Sequence, residues 1–317
     1  MALISYLARR LMASVIVVFG ISIVMFGLLH AVYPSPARDV IGLRASVTAV
    51  NAWNKANGYD DPVAVQYLHY LNNVLHGNLG FSYAANQTVT ALFMQRAARS
   101  AFLSGISLLF AVLIALPLGI YQAVRRNSIG DNVVTSLAFI AYSTPLFLLG
   151  LILIQVFALW LPIFSFEASQ SSSVLTVMGA WREMTLPIAT LTGLSVATFS
   201  RYMRSSSLDV LAQDYIRVAR AKGLPERLVL LRHLVRNASA PIITLIGLFI
   251  PTLLTGDLIT EYLFNYPGLG LLFFNSLQKA DYPLLLAFSM LGAILVIAGN
   301  FLADIALAVT DPRIQLT

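Results

Sequence analysis

The sequence predicts an all-α polytopic membrane protein with six transmembrane helices, on the strength of three observations. Of its 317 residues, 58% are hydrophobic and 11% charged, with a mean hydropathy of +0.79. Soluble domains carry roughly 25% charged residues. Apolar runs recur at about 20 residues, the length that crosses about 30 Å of hydrocarbon at about 1.5 Å per residue. Most Lys and Arg gather beside alternate ends of those runs, as membrane orientation requires. The net charge of +6 and the pI near 9.6 follow from that placement, so no nucleic-acid partner is expected.

The elements follow in order. Residues 1–10 carry Arg9 and Arg10 and form a cytoplasmic N-terminus. Residues 11–33 are the first span, because an apolar core this long exceeds the about 7–15 residues of a signal peptide. Residues 34–99 turn polar and form an extracytoplasmic region. Within it Asp61 caps a helix that Pro62 opens, and Ala64, Tyr67, Leu68, Leu71 and Leu75 recur at helical spacing. Gly77 ends that helix and GNLGFSY makes a turn. This region either caps the bundle mouth or docks an external partner.

Residues 100–317 form the remaining core. Ser100–Val124 is the second span, and Arg125 and Arg126 mark RRNSIGD as an inner loop. Asn132–Leu161 is the third, tilted or kinked at Pro145, and FSFEASQSSS is a polar outer loop. Leu186–Met203, Pro241–Tyr262 and Pro283–Val309 are the fourth to sixth spans, which places both termini inside.

No enzyme motif is present. HExxH is absent, Gly193-Leu194-Ser195-Val196-Ala197 lacks the last glycine of a nucleophile elbow, and no phosphate-binding loop occurs. Cysteine is absent and the four histidines, His30, His69, His76 and His233, are scattered, so no metal site is expected. Asp257, Glu261, Asn300 and Asp304 are polar groups within apolar spans. Such groups form interhelical hydrogen bonds, line an aqueous pathway or relay protons. Thr192, Ser195 and Thr198, three residues apart, line a path or permit close helix packing.

The loop 205–240 interrupts the apolar C-terminal half. With its flanks it holds Arg201, Arg204, Arg217, Arg220, Lys222, Arg227, Arg232 and Arg236 against Asp209, Asp214 and Glu226, so it faces the cytoplasm. Leu211, Tyr215 and Val218 share a helical face, and the charges suit the helix dipole. Gly223 ends this helix, and Pro225 opens a second over Glu226–Asn237. Such a pair either lies on the inner leaflet or inserts as a knob into a cytoplasmic partner.

DYIRVARAKGL followed by LLRHLVRNASAPIITLIGL resembles the cytoplasmic coupling loop of permease subunits of ATP-binding-cassette importers, in the peptide and nickel uptake branch. YLARRL, DPVAVQYLHYL, HGNLGFSY, EYLFNYPGLG, DYP and DPR, in that order, are similar to the B-type dipeptide or oligopeptide subunit. Gly223 and Ala219 match the general importer motif, whereas Arg217 stands where that motif has Glu and Val218 where it has Ala. YPSPARD departs from the usual Pro-Gly-Asp-Pro phrase of the outer turn.

The resemblance implies a type I importer permease fold in a bacterial inner membrane, with an insertion between helices 1 and 2. It implies a non-catalytic subunit that pairs with a second homologous permease, two cytoplasmic ATPase subunits and an extracytoplasmic substrate-binding protein, within membrane lipid. ATP and Mg2+ are bound by the partner ATPases, and this chain holds no cofactor. Asp214, Tyr215, Ile216, Val218, Ala219, Lys222 and Gly223 are the implied ATPase-coupling residues. Ser195, Thr198, Asp257, Glu261, Asn300 and Asp304 are candidates for a pathway or gate. The substrate implied is a short peptide, with nickel chelates, glutathione or another small solute as alternatives. The competing class is an ion-coupled secondary transporter using Asp257, Glu261 and Asp304; a bilayer scaffold is the third.

Overall fold

The computed structural model describes residues 2–42, 44–171 and 173–310, with the side chains of 2–11, 39, 250–254, 300 and 303–310 outside the described set. Helix α1 (Ala2–Val32) shows Val15, Ile16, Phe19 and Val24 to its surroundings, as a helix bathed in hydrocarbon must. The region that follows holds α2 (Ala37–Ile41), α3 (Val47–Ala56), α4 (Val63–Leu75) and an antiparallel hairpin of β1 (Phe81–Ser82) and β2 (Gln87–Thr88). Sequence periodicity finds α4 but not α2 or α3, which bury little apolar surface. The cap of α4 falls one residue later than expected: Pro62 occupies it, and Asp61 contributes only its backbone carbonyl, which accepts from Gln66 Nε2 at 2.9 Å. Gly77 ends α4 with φ of 78°. Tyr67 of α4 meets α1 through Ser22 at 2.8 Å and through Phe26, seating this region on the bundle.

Helix α5 (Val89–Val124) starts well before the expected Ser100, with Thr88 as its cap. At about 1.5 Å per residue it is longer than a bilayer core is thick, so one end stands clear of it. Helices α6 (Ile129–Ser143) and α7 (Leu146–Ile154) meet at a 106° bend, and a π-helical turn extends α7 to Trp160. The expected kink at Pro145 is therefore a break, because proline cannot donate the next helical bond. After the short α8 (Val174–Gly179), α9 (Trp181–Leu211) runs unbroken past the expected end at Met203 and into the loop 205–240.

Among the described residues three helices are long and apolar enough to cross a membrane, or five if each bent pair is one span. Helix α9 is not among them, for a physical reason. It occupies the middle of the bundle against α5, α6, α7 and the later helix α13, so its Thr190, Thr192, Ser195 and Ser200 are buried against protein rather than lipid. Ser107, Ala111, Ala115 and Gly119 form the seam on α5 that admits it. A Cβ on Gly119 would stand 2.6 Å from Met203 Cβ.

The loop 205–240 contains α10 (Asp214–Ala221), α11 (Glu226–Leu228), a π-helical stretch Val229–Leu234 and α12 (Val235–Ala238). The single second helix expected over Glu226–Asn237 is thus interrupted by π turns, and it meets α13 (Ala240–Thr255) at 49°. Helix α13 stops at Thr255 instead of Tyr262, since Gly256 has φ of 80° and Asp257 starts α14 (Leu258–Leu263). Helices α15 (Leu269–Gln278) and α16 (Tyr282–Thr310) complete the chain, the last at nearly the expected bounds.

Loops expected on one side meet at one end of the bundle. Arg204 of α9 binds Asp131 at the start of α6, bringing RRNSIGD beside the loop 205–240. At the opposite end Ser82 bonds Asp281, and Asn265 Nδ2 donates to Glu167 at 2.6 Å.

Candidate coupling site

Helix α10 is two turns long and has two apolar faces. Ile216 and Ala219 are buried in a cluster with Ala111 and Ala115 of α5, Phe199 and Met203 of α9, Val229 and Leu234 of the π-helical stretch, and Ile242 of α13. Full burial of an isoleucine contributes about 1.5–3 kcal/mol, so this face anchors α10 in the cluster, chiefly on the π-helical stretch Val229–Leu234. On the other face Tyr215 is 43% and Val218 51% exposed, with Asp214, Arg217 and Lys222 exposed around them. The expected face of Leu211, Tyr215 and Val218 is therefore not the one that packs inward. Helix α9 ends at Leu211, and the break at Ala212–Gln213 restarts the helical phase.

The corner after α10 is built on backbone geometry. Gly223 has φ of 76°, and a Cβ there would meet nothing within 4 Å in this chain, so its constraint is conformational. The Leu224 amide donates to the Ala219 carbonyl at 3.3 Å and closes the helix end. Arg220 grips Glu226 across the corner through Nη2 and Oε1 at 2.6 Å. That hydrogen bond raises the Arg220 pKa above its ordinary value. Arg217 and Asp214 form a looser exposed pair at 3.3 Å.

At the opposite end, Glu261 is sealed from solvent. Ser100 Oγ donates to Glu261 Oε1 at 2.6 Å, the Leu271 amide donates to Oε2 at 3.1 Å, and Ser100 Oγ accepts from the Leu269 amide at 2.8 Å. EYLFNYPGLG thus folds into a knot whose glycines leave room for one carboxylate: a Cβ on Gly256 would stand 2.6 Å from Oε1, and one on Gly268 would strike the same group. Arg99 Nη1 donates to the Pro267 carbonyl at 3.1 Å, and Tyr266 Oη donates to the Arg99 carbonyl at 3.0 Å, tying the knot to α5.

Among the described residues, Asp257 and Glu261 lie together at the start of α14, whereas Ser195 and Thr198 lie on α9. Asp257 caps α14, its Oδ1 accepting from the Thr260 amide at 2.7 Å. Ser195 is buried on α9, and Thr198 bonds the Leu194 carbonyl one turn back. Thr192 bonds the Ser107 carbonyl across the α5 seam at 3.2 Å, which serves packing. The side chains of Asn300 and Asp304, and Arg9, Arg10 and Arg313 as charge markers, lie outside the described residues. Sequence reasoning missed Asp131 as the partner of Arg204, although Ser128-x-x-Asp131 is a legible helix-start phrase.

A family profile described as "Binding-protein-dependent transport system inner membrane component" matches residues 115–316, and the N-terminal profile of the same transport system matches 3–104. The chain belongs to that family. It is a non-catalytic, multi-pass permease subunit of an ATP-binding-cassette importer. This permease is 36% identical over 315 residues to the oligopeptide transport system permease protein AppB of Bacillus subtilis (strain 168), covering 98% of this chain and 99% of that one. It is 33% identical over 316 residues to the glutathione transport system permease protein GsiC of Escherichia coli (strain K12), covering 99% of each.

Proposed function

We propose that this permease carries short peptides across a bacterial inner membrane as half of a pathway completed by a second homologous permease. Six spans, with α9 as the fourth, place both termini and the loop 205–240 in the cytoplasm, and residues 34–99 outside. An external binding protein delivers substrate, and two ATPases that bind ATP and Mg2+ sit beneath. The single observation that carries this reading is the double-faced α10. Ile216 and Ala219 bury it on the π-helical stretch Val229–Leu234, within a cluster that also holds residues of α5, α9 and α13, while Tyr215, Val218 and Lys222 form one exposed stripe. Such a stripe fits a cleft in an ATPase subunit, and the locked face passes the displacement to the spans.

Peptides are the reading for substrate because AppB is named for oligopeptides and GsiC for glutathione, itself a short peptide. An ion-coupled carrier would need Glu261 within reach of water, and Glu261 is enclosed. The test is co-purification. Tyr215→Asp with Val218→Asp is expected to release the ATPases, because two buried unpaired carboxylates oppose docking, while the second permease stays bound. Retention of the ATPases in that variant would overturn the reading.

A further inference from the structure

One ion pair in the described structure differs in kind from the others. Arg204 Nε and Nη2 donate to Asp131 Oδ1 and Oδ2, each at 2.8 Å, and Asp131 is 0% exposed. The pairs in α10 and its corner are open to solvent. Around the buried carboxylate the Asn127 amide donates to Oδ2 at 3.0 Å and Thr135 Oγ1 to Oδ1 at 3.3 Å. Gln122 of α5 reaches Thr135 at 3.0 Å, and Ser128 Oγ accepts from the Asp131 amide at 3.2 Å. One turn along α9, the Arg201 guanidinium stands 4.5 Å over the Tyr142 ring.

These ties stand out because the face α6 turns to α9 is narrow. Its buried residues are Asp131 and Ala138, while Val133, Leu137, Phe139 and Ile140 are exposed. Helix α6 thus lies along α9 with polar ties near both ends, Asp131 to Arg204 and Tyr142 to Arg201, and beyond Tyr142 the chain turns through the 106° bend into α7. Arg204 lies about two turns from the end of α9, and α10 begins just beyond that end. A two-point guanidinium–carboxylate fork fixes orientation as well as distance, which a lysine cannot do. A buried pair of this kind adds little net stability over an apolar contact, so geometry is its better explanation.

We propose that Asp131 and Arg204 are positioning residues that make α6 travel with α9, so that displacement of α10 is delivered to the bent α6–α7 pair as a gate. This rests on the reading of α10 as the ATPase-coupling helix. The two are separated by assaying the full complex, with its second permease, ATPases and binding protein, in proteoliposomes loaded with ATP. Peptide uptake and ATP hydrolysis are measured on the same vesicles.

Asp131→Asn and Arg204→Lys are expected to keep the ATPases bound and hydrolysing, while peptide delivered per ATP falls about tenfold, within the range of known coupling between sites. Arg204→Lys keeps the charge and loses only the fork, so it decides the matter if Asp131→Asn fails to assemble. An unchanged ratio of peptide to ATP in Arg204→Lys, with loss confined to the amount of folded complex, would overturn the proposal. If that ratio is unchanged while Tyr215→Asp with Val218→Asp still releases the ATPases, the positioning role alone has failed. If the latter variant keeps its ATPases, the coupling reading beneath it has failed.

Discussion

Removing the Glu261 carboxylate leaves Ser100 Oγ and the Leu271 amide without their acceptor in a site closed to solvent. Each orphaned buried polar group costs about 1–3 kcal/mol. Glu261→Ala is therefore expected to lower the thermal midpoint of the purified complex clearly, and Glu261→Gln, which keeps one acceptor, to lower it less. ATP-driven uptake should follow the amount of folded complex in both. Normal folding with abolished uptake in Glu261→Gln would instead mark Glu261 as a transport group. Its role was not legible in the sequence, because an acid inside an apolar run looks the same whether it lines a path or holds a loop, and Ser100 lies 161 residues away. Gly223 was legible, since a glycine after a helix with basic last-turn residues signals a positive φ, and its φ is 76°.

Between elements, the α5–α9 seam sets how close the two central helices come. Gly119 faces Met203 with no room for a Cβ, and the Ser200 carbonyl stands 2.7 Å from where one would be. Overpacking a close contact costs about 1–3 kcal/mol. Gly119→Leu should destabilise the subunit in a thermal melt, whereas Leu113→Ala, on the exposed side of the same helix, should not. Spans at the rim of the bundle were legible because lipid demands apolar residues. Helix α9 was harder to bound, since a helix surrounded by protein can carry Thr, Ser and Arg, and its end at Leu211 lies beyond any hydropathy change. The inward face of α10 was not legible for a related reason: eight residues with Tyr215 and Val218 on one side and Ile216 and Ala219 on another permit two apolar faces. Only the burial of Ile216 and Ala219 in the cluster that holds Phe199 and Met203 chooses between them.

Across the whole molecule, the charge rule and the contacts agree on which loops share an end. Arg125, Arg126 and the basic loop 205–240 lie together, and residues 81–88 lie with 256–281 at the other end. That arrangement puts the exposed stripe of α10 at one pole of a bundle whose long helices run toward the other. In the proposed complex, ATPase motion applied at that pole would have a long helix, α9, and a bent pair, α6–α7, to act on. In the proposed complex the exposed stripe of α10 touches an ATPase. The chain has no cysteine, so Val218→Cys supplies a single thiol for a short thiol-directed photo-crosslinker in the assembled complex. A crosslink from position 218 to an ATPase subunit, with none from Leu75→Cys at the opposite pole, is the expected result; no ATPase adduct from position 218 in a complex that still transports would contradict the account.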